Sequence, residues 1–181
     1  YPLSLKDLSL ASHIPEIIDS GVSSLKIEGR MKSAYYTAVV TNAYKMAFDA
    51  YFSGEYKYDP AWYRELESVS HRDYATGYYY SDSHTDANLS ETTGYIKDKA
   101  YLATTVSYNK EKGLALMSQR NKMCLGDTVE VLTPGEVGRE FTVTELYDES
   151  GNPISSTPHP YMNFLMKSPF EMKEGDIVRA K

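Results

Sequence analysis

One cysteine, Cys124, stands among 181 residues, so no disulfide can form within the chain. No apolar run reaches the ~20 residues that a membrane-spanning helix needs, and no leader peptide opens the sequence, which reads as that of a soluble, cytoplasmic protein. There is no initiating Met either. The chain enters on Tyr1-Pro2-Leu3-Ser4-Leu5, a short extended run, so the start reads as a boundary inside a longer protein. Positive charge is scarce: 19 Lys and Arg against 25 Asp and Glu give a formal net charge of −6. That excludes nucleic-acid binding through bulk charge but leaves room for a local basic patch. The histidines, His13, His71, His84 and His159, lack any spacing of the His-Glu-x-x-His kind, so no metal site is expected. A Gly-x-Ser-x-Gly elbow is also missing. Cys124 precedes Leu125-Gly126-Asp127 without a base beside it in sequence. A self-sufficient hydrolase is therefore not expected in this stretch.

What the chain does have is tyrosine, 17 of them, amphipathic rings suited to half-buried sheet and helix faces. The first half alternates strand and helix. Leu3–Leu5 reads as a strand, Lys6–Ser9 as a polar turn, and Pro15 as a first-turn proline behind a Ser12 or His13 cap. Ile14, Ile17 and Ile18 form an apolar stripe that Gly21 terminates. Ser24–Glu28 alternates as a strand. Ser33 caps a long helix from Ala34 to Phe52, in which Val40, Ala43, Tyr44, Ala47, Phe48 and Tyr51 recur at helical spacing. Asp59-Pro60 opens a shorter helix to about Glu67.

Strand, helix, strand, helix is the grammar of a parallel sheet. Two such units cannot stand alone. They need further strands, or a second copy of the chain in a homodimer, to cover their edges. Residues 1–80 are therefore read as the last β/α units of an α/β, TIM-like barrel, lacking that barrel's N-terminal half. Residues 81–92 are polar and aperiodic and read as a linker. From 93 to 181 the helical period is gone. Strands are expected at Gly94–Lys97, Tyr101–Tyr108, Leu114–Gln119, Thr128–Leu132, Glu140–Tyr147, Tyr161–Met166 and Ile177–Ala180. The paired Gly126-Asp127 and Gly175-Asp176 turns fit the corners of a small β-barrel of about six strands.

The densest chemistry is Lys26, Glu28 and Arg30. Alternation places Lys26 and Glu28 on one strand face, opposite Leu25 and Ile27. In an α/β barrel that face looks inward and the strand's C-terminal end borders the mouth. Arg30 could clamp a carboxylate or phosphate; the bland alternative is a salt-bridge network. Lys6 and Asp7 follow the preceding strand in the same way and are candidate substrate-binding residues. In the second half Lys97, Lys99, Arg120, Lys122 and Arg139 interleave with Tyr95, Tyr101 and Tyr108. That mixture could hold single-stranded RNA, with Arg120 and Lys122 as candidate contacts, or be an ordinary solvated face.

Lys6-Asp7-Leu8, His13-Ile14-Pro15-Glu16 and above all Leu25-Lys26-Ile27-Glu28-Gly29-Arg30-Met31-Lys32-Ser33 resemble the C-terminal end of the catalytic barrel of the collagenase-like peptidases. Tyr35-Tyr36, Ala43-Tyr44, His71-Arg72, Thr76-Gly77, Gln119-Arg120-Asn121-Lys122, Gly126-Asp127 and His159-Pro160 continue the resemblance over nearly the whole chain. It implies a small C-terminal β-barrel, and a parent enzyme that is either a peptidase or an oxygen-independent hydroxylase. The region around Gln119–Lys122 and His159-Pro160 is similar to the branch that hydroxylates the wobble uridine of tRNA with prephenate. By that resemblance Lys26, Glu28 and Arg30 are catalytic, tRNA is the partner, and the parent carries an iron–sulfur cluster. No cofactor is implied within this chain itself. The family's cysteine-rich signature lies upstream, and the cysteine that follows Lys-Asp-Leu in many members is here Ser9, a far poorer soft-metal ligand. The parent then lacks the cluster, holds it otherwise, or belongs to another branch. The peptidase alternative would leave this chain as a substrate-binding or dimerisation module.

Overall fold

The computed structural model describes residues 4–84, 86–90, 94–96 and 99–181. The chain divides into two compact units, Tyr1–Asp98 and Lys99–Lys181. Leu3 of the first expected strand, Thr85, Glu91 and Thr92 of the expected linker, and Lys97 of the expected strand and basic set lie outside the described residues.

In the first unit, β1 (Asp7–Leu8) leads through a 3₁₀ turn, Ala11–His13, into α1 (Ile14–Asp19). Then come α2 (Ala34–Phe52), α3 (Pro60–Glu67) and β2 (Tyr74–Ala75). The helix starts follow local chemistry. The Ser33 hydroxyl accepts from the Tyr36 N–H at 3.2 Å, and the Asp59 carboxylate accepts from the Ala61 N–H at 2.8 Å with Pro60 in the first turn. Ile14, Ala47 and Trp62 are buried between the helices, with Tyr44, Phe48 and Tyr58 packed against them. This burial, rather than propensity, supplies most of what holds the short α1. β1 and β2 pair in parallel, Asp7 with Tyr74 and Leu8 with Ala75.

Two expectations change here. Ser24–Glu28 is not a strand: residues 22–28 are exposed and lie outside every ladder among the described residues. Alternation sets faces, but a strand also needs a neighbour to take its backbone groups. Leu5, likewise, forms only an isolated antiparallel bridge, to Leu89. Within the polar segment expected as a linker, Asn88 and Ser90 bond back to residues 4–6 and to Asp73. The Lys6 N–H donates to Asn88 O at 2.7 Å, the Ser90 N–H to Ser4 O at 2.7 Å, and Ser90 Oγ to Asp73 Oδ2 at 2.7 Å. Ile96 exchanges backbone bonds with His71. The two compact units divide at 98/99; Asp82, Asp86 and Ser81 in this stretch make turn and capping bonds.

The second unit is a seven-stranded antiparallel sheet: β3 (Tyr101–Asn109), β4 (Leu114–Gln119), β5 (Thr128–Leu132), β6 (Arg139–Thr142), β7 (Leu146–Tyr147), β8 (Asn163–Lys167) and β9 (Ile177–Ala180). Their order is β6-β5-β9-β3-β4-β8-β7. The edge strands β6 and β7 are consecutive in sequence, and this forces the sheet to curl. Laid flat, its edges would stand about 29 Å apart at ~4.8 Å per strand. The backbone from Thr142 to Leu146 reaches at most about 14 Å. The expected strand Glu140–Tyr147 is thus split: Val143 still bonds to Asp127, while Glu145 O accepts from the Lys167 N–H at 3.1 Å. The chain changes partner from β5 to β8 within a few residues. Ala103, Met117, Val129, Val131, Phe164 and Met166 fill the concave interior, all at 0% exposure.

One buried ionic group sits among these strands. Glu130 accepts from Arg179 Nε at 2.8 Å and from Lys99 Nζ at 2.6 Å. Arg179 is 2% exposed. Gly138 leaves the space: a Cβ there would lie 2.7 Å from both Arg179 Nη2 and Glu130 Oε2.

Candidate functional site

A cavity of about 590 Å³ opens in the first unit between β1, α2, the segment 25–32 and the Arg72–Tyr74 region. Lys26, Arg30, Lys32 and Arg72 line it together with Asp7 and Glu28. Four cations face two carboxylates, a local excess of positive charge in a chain whose formal net charge is −6. Tyr36, Tyr44, Tyr74, Tyr79 and Tyr95 supply much of the remaining wall.

The floor is rigid. Arg72 donates to Asp7 from Nε at 2.9 Å, from Nη2 at 2.7 Å and from its backbone N–H at 3.0 Å. The parallel β1–β2 pairing sets Asp7 beside Tyr74 and so within reach of Arg72. The Lys32 ammonium donates to Ser70 O at 2.7 Å and lies 4.1 Å from the Tyr95 ring centroid and 5.2 Å from that of Tyr36. Burial pulls its pKa down and Arg72 adds to that, whereas Asp7 pulls the other way. Burial pushes the Tyr36 and Tyr74 phenols up, reinforced by Asp7, so both stay protonated donors. Tyr74 donates to Leu66 O at 2.9 Å and stacks on His71, with ring centroids 4.4 Å apart.

The rim is exposed. Glu28 accepts from the Arg30 backbone N–H at 2.8 Å and pairs with Lys26 at 3.2 Å, and these two contacts hold its carboxyl below the ordinary range. The Arg30 guanidinium makes no ion pair or hydrogen bond among the described residues, which leaves a planar fork free for a carboxylate. Chemically, this is a cleft that can hold a small anion with an unsaturated or aromatic body, cations at its rim and phenols around it.

The structure thus brings Lys26, Glu28, Arg30 and Asp7 to one cavity. Lys6 turns elsewhere: it pairs with Asp86 at 3.5 Å and lines a separate apolar hollow with Leu5 and Leu8. Arg120 and Lys122 belong to the second unit. Lys32 and Arg72 carry no assigned role in the sequence, and Tyr95, grouped there with the basic residues of the second half, lines the cleft instead. Only the β1–β2 register reveals Arg72 as the partner of Asp7.

The described residues do not fit an iron–sulfur cluster. Ser9, 9% exposed, offers a hydroxyl 3.4 Å from that of Tyr44. Cys124 lies in the other unit, and no group of three His, Cys, Asp or Glu side chains converges among the described residues. No helix among them is long and apolar enough to cross a membrane.

A helical unit with a cationic, tyrosine-walled cleft is followed in the chain by a curled antiparallel sheet. The chain belongs to peptidase family U32. The family's pattern matches residues 1–89, and that of the family's C-terminal domain matches 97–179. The tRNA hydroxylation protein P1 of Bacillus subtilis is 31% identical over 186 residues, a match that covers 99% of this chain and 43% of that protein. A collagenase of Porphyromonas gingivalis is 28% identical over 137 residues, covering 74% of this chain and 38% of the relative. A solved C-terminal domain assigned to a U32 peptidase of Geobacillus thermoleovorans is 25% identical and matches 45% of this chain and 91% of its own, with a TM-score of 0.43. The chain spans less than half the length of these full-length relatives.

Proposed function

We propose that the protein to which this chain belongs is a tRNA-modifying enzyme that hydroxylates the wobble uridine with prephenate as co-substrate. The single observation that carries the reading is the cleft with four cations and two carboxylates. A small dicarboxylate with a non-aromatic ring matches both its charge and its tyrosine walls. In this reading Arg30 and Lys26 hold the carboxylates, Lys32 adds a half-buried charge, and Glu28 orients the substrate or moves a proton at the rim. The name of the Bacillus subtilis relative, a tRNA hydroxylation protein, supports the substrate class.

The parallel β1–β2 pair with its helices is then the tail of a TIM-like barrel whose N-terminal half lies upstream, or is completed in a homodimer. Leu25 and Ile27, 46% and 40% exposed on the cleft lining, are apolar side chains that such a neighbour would cover. Any cluster draws its ligands from outside the described residues, and the protein works in the cytoplasm. The test is mass spectrometry of tRNA nucleosides from cells with and without the gene, paralogues also removed. Loss of the hydroxylated uridine, restored by the wild-type gene and not by Arg30→Ala, supports the reading. An unchanged nucleoside profile overturns it and returns the peptidase alternative.

A further inference from the structure

In the second unit, buried Gln119 ties two segments together. Its Nε2 donates to Thr157 O at 3.2 Å, and its Oε1 accepts from the Tyr161 N–H at 3.2 Å. The side chain is 3% exposed, so neither bond is a surface accident. Between its two contacts the chain runs Thr157-Pro158-His159-Pro160-Tyr161, with two prolines that restrict the backbone. The loop delivers Tyr161 at φ +61°, in a region that bulky side chains avoid. Yet Tyr161 buries little: it is 73% exposed. The next residue after Gln119, Arg120, sets its guanidinium 5.0 Å from the Tyr161 ring centroid.

A strained backbone that holds an aromatic ring out to water contributes nothing to the core. Its use is to present the ring. The surrounding charge says to what. Neither 118–123 (Ser-Gln-Arg-Asn-Lys-Met) nor 155–162 (Ser-Ser-Thr-Pro-His-Pro-Tyr-Met) contains a carboxylate, and Arg120 and Lys122 are both exposed. These two segments carry two cations and no carboxylate, and Glu149 reaches the adjoining Asn163, whose Nδ2 donates to it at 2.9 Å. A ring with a guanidinium beside it, and a second cation two residues further along the same segment, match an unpaired nucleobase and its flanking phosphates. Stacking is open to any base, and the cations meet the backbone.

We infer that Tyr161, braced by Gln119 and flanked by Arg120 and Lys122, is a stacking platform for an unpaired base of single-stranded RNA. The inference rests on the tRNA reading above and assigns a base-contacting residue to it. Lys122 and Arg120 supply the salt-dependent part of the affinity and Tyr161 the salt-independent part.

The test uses the full-length protein to which this chain belongs and fluorescein-labelled single-stranded RNA of about ten nucleotides, with a duplex of equal length beside it. Wild type is expected to prefer the single strand. Tyr161→Ala is expected to weaken binding about tenfold or more, and Tyr161→Trp to retain it. Tyr161→Gly separates presentation from packing: glycine accepts the positive φ, so this variant should melt no lower than wild type while losing affinity. If wild type binds and both Tyr161→Ala and Tyr161→Gly bind equally well, the platform is wrong and the tRNA reading stands. Equal affinity for the duplex, or no RNA binding by wild type, also overturns the platform. The nucleoside measurement decides the enzyme reading independently.

Discussion

Arg72 holds Asp7 through three donors, its Nε, its Nη2 and its own backbone N–H, all within 3.0 Å. The contact joins residues 65 positions apart. It fastens β1 to the end of the α3–β2 connection and fixes the floor of the cleft.

Asp7→Ala should therefore destabilise the first unit by about 1–3 kcal/mol, because it leaves a half-buried guanidinium without its carboxylate. Arg72→Lys should not be neutral, since an ammonium cannot reproduce the fork. Thermal unfolding followed by circular dichroism measures both. Melting points equal to wild type would show that the contact is ornamental.

In the second unit, Gly138→Ala should cost about 2–4 kcal/mol, as an added methyl must displace the Glu130–Arg179 pair or break it. Glu130→Ala should cost more, about 3–5 kcal/mol, by stranding a buried Arg179. A double variant, Glu130→Leu with Arg179→Met, should recover much of that loss, because two matched apolar groups need no partner. Chemical denaturation of the four proteins gives the comparison. An undiminished midpoint for Gly138→Ala would contradict the packing described.

Acid should find the same group. Burial pushes the Glu130 carboxyl up, but bonds from Lys99 and Arg179 outweigh it and hold the carboxyl below its ordinary value of 4.5. A depressed carboxylate contributes stability that is fully present above its unfolded pKa and is lost as pH falls through the folded one. The second unit should thus hold its stability down to about pH 4.5 and lose it progressively below. Glu130→Gln should flatten that loss. A wild-type profile as flat as the variant's would sink the assignment.

At the cleft, Lys32→Met should lower affinity for a small dicarboxylate more than Lys26→Met does. Lys32 is half-buried against Tyr95 and Tyr36, whereas the Lys26 side chain is 84% exposed and already paired with Glu28. Isothermal titration at two ionic strengths should show the Lys26 effect fading with salt and the Lys32 effect persisting. Equal losses would argue against an anion seated beside Lys32.

Helix starts were legible because caps are local: Ser33, Asp59-Pro60 and Pro15 act within a turn of themselves. Strands Leu114–Gln119, Thr128–Leu132 and Ile177–Ala180 were legible because their buried and exposed faces alternate, or because a Gly-Asp turn marks their entry. The non-local features were hidden. Ser24–Glu28 alternates like a strand but pairs with nothing described, and Glu140–Tyr147 breaks where its hydrogen-bonding partner changes. Lys26, Glu28 and Arg30 stood out by charge density, and the cavity gathers them. Arg72 and Lys32 did not stand out, since their meaning depends on Asp7 and Tyr95, far off in sequence. Lys6, grouped with Asp7 by adjacency, points into a different hollow.

The measurement that bears most directly on the central claim is the tRNA nucleoside profile of cells that carry the wild-type gene, no gene, or Arg30→Ala in the full-length protein. The account predicts the hydroxylated wobble uridine in the first and its loss in the other two, with Arg30→Ala protein present at normal abundance. Hydroxylated uridine at wild-type levels without the gene, paralogues removed, would contradict it.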